Sequence, residues 1–221
     1  MADRIDSRDW ATTASVCEFL AVSLAYPDDA VVQAIQSGEW SAAACEIAGV
    51  LGVELDAEVE TWADSEEAKH ALRREATRLF LGPHEPPVSI YEGIWSAHDR
   101  GVAPLLFVSQ AAMDVERFCA ACGLGRPAGT NESLDHCSTE LEVLQYLASV
   151  EAGIVVPCEG APTAEKLPGG SAAEAYGEFF NDHIITWMPR FADALEGETR
   201  LGFYKVAAQI LRAFVDSRCH C

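Results

Sequence analysis

Apolar side chains recur every three or four residues along most of the chain, and no segment shows the strict alternation of a strand. The clearest stripe is Ala68, Ala71, Leu72, Ala76, Leu79 and Phe80, which one face of a helix would carry. The pattern predicts an all-α protein, a single helical-bundle-like domain over residues 1–221 with roughly eight to ten or more helices.

Helix-breaking residues and capping residues divide this pattern into separate helices. Asp64 and Glu67 form a predicted capping box, and Ser171 and Glu174 are predicted to cap a later helix. The predicted helices are Ser7 to Tyr26, a short one ending at Gly38, one ending at Gly52, Asp64 to Gly82, Pro104 to Gly123, Asp135 to about Val150, Ser171 to a break or kink at Pro189, and a last one through Phe203 and Phe214. The stretches 123–134 and 153–170 are predicted linkers.

The segment Glu75–Tyr91 is predicted to be a helix that ends sharply and runs into a rigid loop. Gly82 suits the left-handed position after a helix, and Pro83 cannot continue it. Pro86 and Pro87 then fix two φ angles, so we expect Val88, Ser89 and Tyr91 to be presented with little conformational freedom to lose. A preformed loop of this kind favours recognition of another chain over catalysis.

The net charge of −20, from 35 acidic and 15 basic residues, excludes nucleic acid and anionic membranes as expected partners because both need a basic face. It leaves a cationic partner open, and it also serves solubility. No Lys or Arg lies between Arg8 and Lys69 or between Arg126 and Lys166. These two windows of one sign predict a large negative surface.

The N-terminal segment is polar and lacks the apolar stretch of a signal peptide, and no run approaches the ~20 apolar residues of a membrane span. We therefore expect a cytoplasmic protein without direct membrane insertion. Its eight cysteines should mostly be reduced thiols.

Two cysteine motifs offer candidate chemistry. Cys119-Ala-Ala-Cys122 lies on an apolar stripe at the C-terminal end of a predicted helix, where the helix dipole disfavours a thiolate, so we expect core packing. The tail Cys219-His220-Cys221 is expected to be incidental. A thiol-based metal-binding or redox-sensing protein that uses both motifs remains the alternative.

The other titratable candidates point to structure before catalysis. His183 lies on an aromatic stripe, where a hydrogen-bonded core histidine is expected. Asp135 and His136 lie at the start of a helix, where Asp can cap backbone N–H groups and His can be held beside a carboxylate. A hydrolase or nucleotide-binding enzyme using Asp135, His136 and Glu140 is a second alternative. The chain contains no phosphate loop, nucleophile elbow or zinc-protease motif, so we expect no enzyme, no cofactor and no metal.

Three segments in order resemble the TorD/DmsD/NarJ family over about 110 residues. Residues 79–91 carry Leu-Phe-x-Gly-Pro and then Pro-Pro-x-Ser-x-Tyr, which is similar to the family's signature loop. Residues 134–142 resemble its proline-aspartate-histidine segment, with Leu134 in place of the usual proline. Residues 179–191 are similar to its C-terminal helix, and the loop around His84 is shorter than usual.

The resemblance implies an all-helical cytoplasmic chaperone dedicated to a molybdopterin-containing oxidoreductase. It implies binding of the twin-arginine signal peptide, or a related N-terminal segment, of one catalytic subunit, which delays export through the Tat pathway until the cofactor is inserted. It leaves a homodimer open. The implied peptide-binding residues are Leu79, Phe80, Pro86, Pro87, Ser89, Tyr91, Asp135 and His136, with Glu140 nearby.

Overall fold

The computed structural model describes residues 9–81, 86–103, 109–125, 133–158 and 160–218. These residues form α-helices and no strand, and a single antiparallel bridge joins Tyr91 and His136 among them. The predicted all-α class is confirmed. The helices are α1 Trp10–Leu24, α2 Asp29–Ser37, α3 Glu39–Leu51, α4 Ser65–Phe80, α5 Glu92–Asp99, α6 Gln110–Ala121, α7 Cys137–Glu151, α8 Ala172–Phe179, α9 Ile185–Glu198 and α10 Gly202–Arg218.

Local sequence explains most helix ends. Gly38 and Gly52 follow α2 and α3 with φ of 83° and 68°, a backbone region that glycine enters without strain. Asp64 accepts a hydrogen bond of 2.9 Å from the Glu67 N–H at the start of α4. In a capping box the Glu67 carboxylate would accept the backbone N–H of Asp64. Here it accepts the N–H of the preceding residue, Ala63, at 3.0 Å.

The described residues separate into two compact units. In the first, which comprises 19–81, 86–90 and 188–218, α2 packs on α3 and α4, and α3 packs on α10. Its core contains Trp40 between Phe19 and Phe203, with ring centroids 5.1 and 4.7 Å away. The Trp40 indole N–H donates to Ser23 Oγ at 2.9 Å, so this buried polar atom is satisfied.

The second unit comprises 9–18, 91–103, 109–125, 133–158 and 160–187. Here α5 packs on α6, and α7 packs on α8. The rings of Phe118 and Phe179 lie 4.8 Å apart, and those of Trp95 and Trp187 lie 6.5 Å apart. A π-helical segment, Phe180–Ile184, connects α8 to α9, and such segments recur at functional sites.

The structure departs from the predicted elements at several points. The helix α5 was not predicted. The helix α9 continues past Pro189, so of the two predicted effects of this proline, an end to the helix is wrong. The predicted features at Ser7, Gly82, Pro83, His84 and Pro104 lie outside the described residues. No helix of the described part is long and apolar enough to span a bilayer.

Candidate functional site

Residues 86–90 of the predicted recognition loop belong to the first unit, and their side chains differ in how far they are exposed. The Val88 N–H donates to the Leu79 carbonyl at 3.2 Å and ties the segment to the end of α4. Val88 is buried, contrary to the expectation that the loop presents it, whereas Pro87 is exposed and Ser89 half-buried. Within this segment Pro87 is therefore the residue most open to the solvent.

Asp135 caps the first turn of α5, not that of the helix that follows it. Its carbonyl accepts the Glu92 N–H at 3.0 Å, and its Oδ2 accepts the Gly93 N–H at 2.9 Å. The Ser133 hydroxyl donates to Oδ1, and the Ser109 hydroxyl lies 3.5 Å from Oδ2. A carboxylate is favourable at a helix N-terminus, so this 1% exposed side chain anchors α5.

His136 begins α7 in place of the expected Asp135 cap. Its Nδ1 accepts the Ser138 N–H at 3.2 Å and lies 2.8 Å from Ser138 Oγ. Burial lowers the pKa of His136 to about 4, so the imidazole is neutral at physiological pH. Its ring stands edge-on to Tyr91, with the centroids 5.3 Å apart.

Glu140 is completely buried one turn into α7. The Trp187 indole N–H donates to its Oε2 at 3.0 Å. Burial raises the pKa of the Glu140 carboxyl well above 4.5, and the negative charges of Glu92 and Asp135 raise it further. We conclude that burial beside Glu92 and Asp135 keeps the Glu140 carboxyl in its neutral, protonated form.

Glu92 joins this buried group to the π-helical segment. Its Oε2 lies 2.9 Å from Nδ1 of His183, and both side chains are more than nine-tenths buried. The expectation that His183 is a hydrogen-bonded core histidine is confirmed. Glu92, Asp135, Glu140, His183 and Trp187 form what we call the buried polar cluster of the second unit.

A cavity of about 570 Å³ opens beside this cluster within the second unit. Glu92 and His183 contribute to its wall together with apolar and charged side chains from α6 and α8. Its volume falls in the range of ligand sites in proteins, about 300–1,000 Å³. Sequence reasoning missed this cavity because Glu92 lies on the unpredicted helix α5, and the Gly in Glu92-Gly93 discourages a helix prediction.

The structure places the nine predicted peptide-binding residues in different settings. Leu79, Phe80, Pro86, Pro87 and Ser89 belong to the first unit, and Leu79 and Phe80 are buried in its core. The other four belong to the second unit, which joins Tyr91 to His136 by the bridge and links Asp135 and Glu140 to Glu92. Five of the nine are buried: Leu79, Phe80, Asp135, His136 and Glu140.

The Cys-x-x-Cys motif packs in the core, as expected. Cys119 is 4% and Cys122 1% exposed, and burial raises the pKa of these thiols to about 11 and about 12. No group of three or more His, Cys, Asp or Glu side chains suited to a metal ion occurs in the described ranges. The tail Cys219-His220-Cys221 lies outside those ranges.

We expect Cys119 and Cys122 to be alkylated at neutral pH at least about a hundredfold more slowly than Cys45 and Cys158, because the thiolate is the reactive form. Cys45 and Cys158 are exposed. Iodoacetamide labelling followed by peptide mass spectrometry measures the rates, and the urea-denatured protein provides the reference. Fast labelling of Cys119 or Cys122 in the folded protein would contradict the burial and revive the thiol-based alternative.

The chain is similar in sequence to several known proteins. A family sequence model described as nitrate reductase delta subunit matches residues 38–193. The chaperone protein TorD of Vibrio cholerae serotype O1 is 25% identical over 156 residues, which cover 71% of this chain and 64% of the relative. TorD of Photobacterium profundum is 24% identical over 160 residues, covering 71% and 66%. The chain thus spans about 64% of the length of the Vibrio relative.

A solved structure has a similar fold. It is the crystal structure of a proposed redox enzyme maturation protein from Archaeoglobus fulgidus, with a TM-score of 0.50 and 20% identity. The match covers 92% of this chain and 93% of the other. At this level of identity the likeness concerns the fold alone.

Proposed function

The chain belongs to the TorD/DmsD/NarJ family, and from this premise we propose that it is a non-enzymatic maturation chaperone for a redox enzyme. The observation that carries the proposal is the similarity to chaperones named TorD over about 71% of the chain. The client would be a catalytic subunit that contains molybdopterin. We propose that the chaperone binds the subunit's N-terminal twin-arginine leader in the cytoplasm and holds back export until the cofactor is inserted.

In this proposal the predicted residues have two roles, direct contact with the peptide and support of the binding surface, and their contacts are consistent with both. The exposed Pro87 and the half-buried Ser89 and Tyr91 would touch the peptide. The buried groups would hold the binding surface in place, since Asp135 already accepts hydrogen bonds from Gly93 and Ser133. Such preorganisation lowers the ordering cost of binding.

The chemistry of a twin-arginine leader suits an acidic protein. The leader joins cationic side chains to an apolar segment, and the chain carries a formal charge of −20. Each exposed Arg–carboxylate contact contributes about 0–1 kcal/mol, so apolar burial would supply most of the affinity. The acidic surface would mainly speed and orient the encounter.

We expect Tyr91→Ala to weaken leader binding by about fivefold to thirtyfold, because aromatic anchors dominate peptide interfaces. The ligand is a synthetic twin-arginine leader peptide of a molybdoenzyme catalytic subunit from the same organism, and calorimetry measures the affinity. Tyr26→Ala is the matched control: this tyrosine is 53% exposed and packs under Arg73 in the first unit. A leader that fails to bind the wild-type protein would refute the proposal, and equal losses in both variants would refute the role of Tyr91.

A further inference from the structure

We propose that the cavity of the second unit is a guanidinium site that receives an arginine side chain of the leader. The identity of the partner rests on the function proposed above, whereas the preference for a guanidinium rests on the cavity itself. The residues whose charge and shape carry the argument are Glu92, Asp114, Phe118, Glu178, Asp182 and His183.

The charge of the lining favours a cation. The wall contains four acidic side chains and two arginines, Arg100 and Arg117. Arg117 is 2.6 Å from Asp114, so this pair is neutral as a unit. Glu92, Glu178 and Asp182 then face Arg100, whose Nε already donates to the Ser96 carbonyl at 3.2 Å. A ligand with positive charge would therefore restore the balance.

The apolar part of the wall favours a guanidinium over an ammonium. Phe118 and Pro168 line the cavity with Ala111. A guanidinium is planar, weakly hydrated and able to stack on an aromatic ring while its N–H groups contact carboxylates. An ammonium keeps a strong hydration shell and gains less from such a wall.

The Glu92 carboxylate in the cavity wall is held in place before any ligand arrives. Glu92 lies next to Gly93, whose N–H is bound by Asp135, and its own side chain is bound by His183. A fixed acceptor loses little side-chain entropy on binding, which is a large cost for two flexible charged partners. The predicted residue Asp135 would thus serve the site by positioning Glu92, without contact to the leader.

The direct test uses two short peptides, Ac-Arg-Arg-NH2 and Ac-Lys-Lys-NH2, titrated into the full chain and followed by 15N NMR. We expect the arginine peptide to bind in the millimolar range, to shift resonances of the cavity residues and to bind more tightly than the lysine peptide. We expect the substitutions Asp182→Asn and Glu178→Gln each to weaken binding of the arginine peptide by about two- to fivefold. Glu174→Gln is the matched control, since Glu174 is an exposed acid on α8 outside the cavity.

A third variant tests the sign of the charge. Arg117→Gln removes a positive charge from the wall and frees Asp114, so it should strengthen binding of the arginine peptide about two- to fivefold. An anion-binding cavity would be weakened by the same change. Weaker binding in Arg117→Gln, or equal binding of the arginine and lysine peptides, would overturn the proposal.

A second ligand separates this proposal from the proposed function. The leader is titrated in its natural form and with both arginines changed to lysine. One outcome is that both forms of the leader bind with the same affinity, and that Asp182→Asn and Glu178→Gln bind the natural leader as tightly as the natural protein does. This outcome overturns the guanidinium site and leaves the chaperone proposal standing. The other outcome is that the leader does not bind but the arginine peptide binds as expected. This outcome refutes the chaperone proposal and supports the cavity as a guanidinium site.

Discussion

Asp135→Ala is expected to lower the free energy of unfolding by about 2–4 kcal/mol. The substitution removes the acceptor of the Gly93 N–H and of the Ser133 hydroxyl inside the second unit. A hydroxyl can rotate to a new partner, but a buried backbone N–H cannot, so the cost of the lost acceptor remains. Urea unfolding at neutral pH measures the change.

Two further variants show whether the carboxylate itself causes the loss. Asp135→Asn should cost less than Asp135→Ala, because its single oxygen can accept from Gly93 while its NH2 group faces the Ser133 hydroxyl. Asp182→Ala is the matched control and should change stability by less than about 0.5 kcal/mol, since Asp182 is exposed. An Asp135→Ala protein as stable as the Asp182→Ala protein would contradict the capping role.

This result also affects how leader-binding experiments are interpreted. A loss of binding in Asp135→Ala can come from loss of the α5 anchor, because Asp135 is 1% exposed. Tyr91 and the cavity residues Glu178 and Asp182 reach solvent and therefore report on contact more directly. Stability and affinity should be measured on the same preparation of each variant.

The helix ends that sequence predicted well are those fixed by local chemistry. Gly38 and Gly52 adopt the left-handed conformation that ends α2 and α3, and Ser171 Oγ accepts the Glu174 N–H at 3.1 Å to begin α8. These effects act within one turn, so the residue types alone report them. The all-α class follows from the same short-range pattern.

The features that sequence did not predict depend on distant partners. Asp135 caps α5, a helix 42 residues earlier in the chain, and spacing along one helix cannot reveal this. The short helix α5 contains Gly93, and a Cβ there would lie 2.8 Å from Asp135 Oδ2 and closer still to Ser109. The same glycine that argues against a helix is what allows the capping group to approach. The cavity beside Glu92 was missed for the same reason.

Glu140→Gln is expected to become more stable than the natural protein as the pH rises from about 5 to about 8. The pKa of Glu140 is raised well above 4.5 by burial and by Glu92, so the folded protein holds a proton that the unfolded chain releases. In the window between the unfolded and folded pKa values, the natural protein loses up to about 1.4 kcal/mol of stability per pH unit. Glutamine keeps an acceptor for the Trp187 indole N–H and does not titrate.

The sign of this pH dependence distinguishes a neutral Glu140 from an ionised one. Urea unfolding at several pH values gives the stability difference between Glu140→Gln and the natural protein, with the exposed Glu174→Gln as a control whose difference stays constant. A carboxylate stabilised in its ionised form would make the natural protein gain on the variant as pH rises, and that outcome would contradict the protonated cluster. Growth of the difference in favour of glutamine would instead show that Glu140 is a neutral acid in the folded protein.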